Sequence, residues 1–270
     1  LILLLLIFEI NLFQNSLINI SIYYGIIPLL VFFIYTLFFF LFNRNLSPSI
    51  SYISLNSFKK LFKVGSVFFV INICNVIIMS IGNIFILNLV GPEEVSIYDI
   101  TLKYFSAILI IYGVLVSPLW SLFTDAFYKN DYKWIKSTIR KINYISFVFI
   151  LIIIIMNLFS SELIKFWINK NIILNDDVVN LTSLFIVFSI LNNHYIYFLN
   201  GSGKIKIQFI FTILSTLFLI IFSYILISFF NSSIGYLIPL VFIRFIGALI
   251  WRYQYHIIIT NPNSNSIWNK

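Results

Sequence analysis

The chain has 270 residues, 61% of them hydrophobic and only 10% charged, with a net charge of +8. A water-soluble domain carries about 25% charged residues, so this chain cannot clothe its surface in polar groups, and its solvent is lipid. One cysteine, Cys74, and two distant histidines, His194 and His256, exclude a disulfide framework and argue against a Cys- or His-based metal site.

A helix needs about 20 mostly apolar residues to cross a bilayer. Eight stretches meet or approach that length, in long runs rather than the short alternation of a β-barrel, so the expected fold is an all-α polytopic helix bundle. The first, Leu1 to about Phe13, begins inside the apolar run LILLLLIF, without methionine and without the features of a secretory signal. The chain is therefore expected to be the C-terminal portion of a longer protein. The second stretch is Ile22–Phe42, with Pro28 inside it. Next comes NSFKKLFKVG, expected to form a short interfacial helix with Phe58, Leu61 and Phe62 on one face.

The third span, Phe62–Leu89, contains Asn72, Asn75, Met79 and Asn83 close to one helical stripe. Such amides bond a neighbouring helix or line a wet cavity, and packing is slightly favoured because asparagine is abundant throughout. The fourth span, Ile97–Thr124, holds Asp99 and Lys103 four residues apart, on one face, where they can pair. It also holds Pro118, which permits a kink. The segment FYKNDYKWIKSTIRK follows as a second expected interfacial helix. The remaining spans are Ile142–Phe159, Val179–Leu199, Ile207–Phe230 and Ile234–Tyr255. Between two of them, LNGSGKIKIQ lacks the complete phosphate-loop pattern because Ile205 follows Lys204, so it is read as a tight turn.

Loop charge sets the expected orientation. Thirteen lysines and arginines fall in one set of connections and the tail, while the alternate set holds only Lys165 and Lys170. The basic side and the C-terminus are therefore expected in the cytoplasm. The two remaining cations, Lys103 and Arg244, lie inside spans. Arg244 sits ten residues past Ile234, about 15 Å down its helix and near the midplane. Central placement costs about 3 kcal/mol, which a carboxylate, a hydrated cavity or an anionic ligand must offset. Arg244 is therefore expected either in a structural ion pair within the bundle or facing a cavity or ligand.

No Ser/His/Asp group, paired carboxylates or metal-ligand cluster stands out, so no catalytic residue, metal or cofactor is expected, and the chain is not expected to be an enzyme.

The run GPEEVSIYDITLKYF, followed by SPLWSLFTDAFYKNDYKWIKSTIRK, resembles the polysaccharide repeat-unit (O-antigen) flippases of the MATE-like multidrug/oligosaccharidyl-lipid/polysaccharide exporter superfamily. SSELIKFWIN and FLNGSGKIKIQ are similar to later loops of that group. The resemblance implies about twelve helices in two lobes around a central cavity. Residues 1–57 would be the tail of the first lobe, 58–258 the second lobe and 259–270 a cytoplasmic tail. It further implies export of an isoprenoid-pyrophosphate-linked oligosaccharide by alternating access, with membrane lipids, a proton or sodium ion and other glycan-assembly proteins as partners, and no nucleic acid. Carried onto this chain, it nominates Arg244 and Lys103, with Asp99, as cavity residues beside Asn72, Asn75 and Asn83. The alternatives are a drug or lipid-precursor exporter of the same superfamily, or a membrane glycan polymerase or acyltransferase.

Overall fold

The computed structural model describes residues 17–49, 54–168, 174–262 and 266–269. The expected span Leu1–Phe13, and Lys170 and Lys270 from the charge comparison, lie outside them. The described residues form helices and turns: α1 Leu17–Phe42, α2 Leu55–Leu89, α3 Pro92–Val116, α4 Leu119–Tyr128, α5 Tyr132–Leu158, α6 Ser160–Ile168, α7 Asp176–Ser202, α8 Lys206–Phe230 and α9 Ile234–Thr260. Short 3-10 turns follow α1 at Arg44–Leu46 and α9 at Ile267–Asn269. Seven helical stretches among them are long and apolar enough to cross a membrane, with α3 and α4 together making one. The protein is an all-α polytopic membrane protein. Helices are the expected solution because lipid offers no partner to an unpaired backbone N–H or C=O.

Two elements differ from the expected boundaries. The basic segment around Lys59, Lys60 and Lys63 is no separate interfacial helix; it is the first part of the 35-residue α2. At 1.5 Å per residue α2 is about 52 Å long, well beyond a hydrocarbon core of about 30 Å. Nothing in this segment breaks the helical hydrogen bonds, so the helix that begins at Leu55 runs through the lysines without interruption. The fourth span, expected as one piece, divides at Ser117 and Pro118 into α3 and α4. Proline has no N–H to donate to the preceding turn and its ring crowds the carbonyl there, so the break falls at the proline.

FYKNDYKWIKSTIRK likewise forms no independent helix. Asn130, at φ 57°, turns the chain. Asp131 then caps α5 by accepting from the Trp134 backbone N–H at 2.9 Å. Lys133, Lys136 and Arg140 therefore occupy the first turns of a span. SSELIKFWIN, taken as a loop, contains α6. The GSGK stretch is a tight turn, with Gly203 at φ 72° ending α7 in the left-handed conformation that glycine adopts without strain.

The chain divides into two compact units, Leu1–Phe62 and Lys63–Lys270. The first contains α1, its 3-10 turn and the start of α2. The second is organised around α7, the most buried spanning helix, which packs against α3, α4, α5 and α9. Helix α9 also lies along α8. The core is dense in aromatics, with Tyr98, Phe105, Tyr112, Phe123, Phe198 and Tyr236 all fully buried. Tyr236 reaches from α9 to α2 and donates its hydroxyl to the Ile78 carbonyl. Gly82 makes room for that ring, since a Cβ there would come within 3 Å of three Tyr236 ring carbons.

Candidate functional site

The polar positions of α2, α7, α8 and α9 converge on a cavity of about 290 Å³ inside the second unit. Arg244 lines it from α9, Asn75 from α2, Asn192 and Asn193 from α7, and Gln208, Thr212 and Ser215 from α8. No Asp or Glu lines it. Among the described residues Arg244 has no carboxylate within ion-pair distance. Its guanidinium lies 5.6 Å from the centroid of the buried Phe185 ring, close enough for a cation–π contact. Its Nε is buried without a hydrogen-bond partner.

Asn192 holds this corner together. Its Nδ2 donates to the Arg244 carbonyl at 2.9 Å and to Phe188 at 2.7 Å, tying α7 to α9 beside the cation. The approach is possible because Gly247 has no side chain; a Cβ there would sit 3.1 Å from Asn192 Oδ1 and 3.2 Å from Trp251 Nε1. Asn192 Oδ1 and Gln208 Oε1 are both buried and unpartnered. The residues themselves are only 2% and 6% exposed. Buried polar atoms are ordinarily hydrogen-bonded, so three orphans around one hollow mark a place prepared for water or a polar ligand.

The other nominated residues divide. Asn75 joins Arg244 at the cavity, but Asn72, Asn83, Asp99 and Lys103 do not line it. Asn72 is exposed on α2. Asn83 donates to Asp99 Oδ1 at 3.2 Å, and Lys103 Nζ lies 3.4 Å from Asp99 Oδ2. This chain of three links α2 to α3, with the Lys103 side chain 69% exposed at its outer end. Such an exposed pair contributes little to stability.

Residues not singled out from sequence carry much of the polar interior. Asn192, Gln208, Thr212 and Ser215 sit in apolar runs where a single polar letter is weak evidence. Tyr112, fully buried on α3, bonds Ser146 on α5 at 2.9 Å and His194 Nδ1 on α7 at 3.1 Å. Glu94, in the first turn of α3, accepts from Ser232 Oγ at 2.7 Å and from the Ser233 N–H and Oγ at 2.8 Å each. It thereby fastens α3 to the turn before α9. The buried group requires three distant segments in register, which no local motif encodes.

The profile of the MatE family matches residues 68–225, well over half of the chain. The chain belongs to the MatE family. Its members are membrane transporters, and this MatE chain is accordingly a membrane exporter. No curated protein and no solved structure matches it. The match runs from within α2 into α8, so it includes Asn72, Asn75, Asn83, Asp99 and Lys103, while α9 and Arg244 lie beyond it.

Proposed function

We propose that this MatE protein moves an isoprenoid-pyrophosphate-linked oligosaccharide repeat unit, an O-antigen or capsule precursor, across the inner membrane by alternating access. The observation that carries this reading is Arg244 lining a cavity that offers it no carboxylate. A guanidinium with free donors suits the oxygens of a phosphate or pyrophosphate, which it can engage in pairs. The unpartnered Asn192 and Gln208 carbonyl oxygens suit the hydroxyls of a sugar. A pyrophosphate bearing a glycan cannot enter hydrocarbon unaided, whereas its isoprenoid tail can remain in lipid. The cavity's job is then to replace water around the head, one phosphate or one sugar at a time.

In the same reading Lys103 and Asp99 form a polar pair that the head or a coupling ion can compete for, and the break at Pro118 is a joint between rigid segments. The C-terminus is assigned to the cytoplasm, in agreement with the excess of basic residues on that side. A cation-exporting alternative is disfavoured by Arg244, which repels a positive drug in a site without a compensating acid.

Full-length protein in proteoliposomes, loaded on one leaflet with a fluorescent polyisoprenyl-pyrophosphate oligosaccharide, tests the proposal. Transfer to the other leaflet is expected for the wild type, with at least a tenfold loss in Arg244→Ala and partial retention in Arg244→Lys. Unchanged transfer by Arg244→Ala would remove the cation from the mechanism. No transfer by the wild type, with transport of a drug cation instead, would replace the substrate class.

A further inference from the structure

A second site lies on the opposite side of α7 and α9 from the Arg244 cavity. At the basic end of the bundle, α5, α7 and α9 border an open hollow of about 600 Å³ lined by the exposed Lys136, Arg140, Arg252 and His256 together with Tyr195 and Tyr255. No Asp or Glu lines it, and none of its three permanent cations is in an ion pair among the described residues. Three unneutralised cations at one hollow suit a multiply oxygenated anion.

The hollow continues into an apolar furrow. Asn143, Tyr195, Leu249 and Arg252 line both it and a neighbouring groove of about 450 Å³, whose other walls include Phe147, Ile150, Phe188 and Phe245. The continuity follows from helix geometry. Lys136, Arg140, Asn143, Phe147 and Ile150 recur every three or four residues and form one stripe down α5. On α9, which runs the other way, Phe245, Leu249, Arg252 and His256 form the facing stripe. From Arg140 to Ile150 is ten residues, about 15 Å, which equals half of a hydrocarbon core of about 30 Å. Charge at the mouth and apolar walls one leaflet deep match an amphiphile with an anionic head and a hydrocarbon tail.

We infer that this groove holds a resident anionic phospholipid of the basic-side leaflet, its phosphate among Lys136, Arg140 and Arg252 and an acyl chain along Phe147 and Phe245. The occupant is a structural lipid and not the transported one, because α7 and α9 separate the groove from the polar cavity. Arg244 and Gly247 face the cavity, while Phe245, Ala248 and Arg252 face the groove. The site is independent of which cargo the exporter carries.

The test is a titration of the full-length, delipidated protein in a neutral detergent with dioleoyl phosphatidylglycerol, read by native mass spectrometry. Dioleoyl phosphatidylcholine and glycerol 3-phosphate are titrated in parallel. Wild type is expected to bind phosphatidylglycerol at least tenfold tighter than phosphatidylcholine, and glycerol 3-phosphate only weakly, because both head and tail contribute. Arg140→Gln/Arg252→Gln is expected to lose that preference. Ala248→Phe, at a position that lines the furrow and not the cationic hollow, is expected to weaken phosphatidylglycerol while leaving glycerol 3-phosphate unchanged. Melting in phosphatidylcholine nanodiscs verifies folding. If the double variant melts early, the exposed pair Lys136→Gln/Arg140→Gln serves instead. Undiminished phosphatidylglycerol preference in the charge variants, or equal binding of phosphatidylcholine by the wild type, overturns the site. A polyisoprenyl phosphate that displaces phosphatidylglycerol at equal concentration assigns the groove to cargo and overturns the resident lipid.

Discussion

Replacing Arg244 with methionine separates a cation kept for a ligand from a cation kept for structure, because the two predict opposite signs of stability change. The substitution removes a cation–π contact with Phe185, 5.6 Å from the ring centroid, of the order of 1–2 kcal/mol in a desolvated setting. It also removes an unpartnered buried Nε, which costs about 1–3 kcal/mol, and a charge at mid-span depth, which costs about 3 kcal/mol on insertion scales. Methionine fills most of the same apolar volume along α9. The balance favours the variant by about 2–5 kcal/mol. Thermal or denaturant unfolding of the full-length protein in nanodiscs should therefore show Arg244→Met as stable as wild type or more so, while transport falls at least tenfold. Were Arg244 one half of a buried ion pair, its removal would strand the partner and destabilise by about 3–5 kcal/mol. A loss of that size refutes the reasoning.

Substitutions at Glu94, Gly82, Gly65 and Lys103 probe the packing of the bundle. Glu94→Ala removes the common acceptor of three hydrogen bonds and leaves the buried Ser233 unsatisfied, so unfolding should show a loss of about 2–3 kcal/mol, with Glu94→Gln recovering part of it. Gly82→Val drives a side chain into the Tyr236 ring and should separate α2 from α9, seen as an earlier melt and faster proteolysis near α2, whereas Gly65→Ala, with open space around it, should change neither. Lys103→Ala should alter stability by less than about 1 kcal/mol, since the exposed lysine leaves Asp99 bonded to Asn83. A transport defect in that variant at unchanged stability would place Lys103 in the cargo or ion path, and wild-type transport would leave it a surface partner of Asp99.

Composition and run length by themselves determined that this chain is a bundle of membrane helices. Lipid cannot satisfy a backbone, so any long apolar run must be helical wherever its neighbours lie. Arg244 was also visible in the sequence, because a permanent charge in the middle of IGYLIPLVFIRFIGALIW violates the local pattern. What surrounds it was decided only by the tertiary structure. Asn192 and Gln208 reach the cavity from α7 and α8, and their letters look like any other polar residue in an asparagine-rich chain until packing buries their oxygens without partners. Lys103 shows the converse: as conspicuous in sequence as Arg244, it lies at the exposed end of a pair outside the cavity. Hydrophobicity is a sum over neighbours along the chain, whereas a binding site is a meeting of helices distant in sequence, and side-chain geometry alone settles which faces meet.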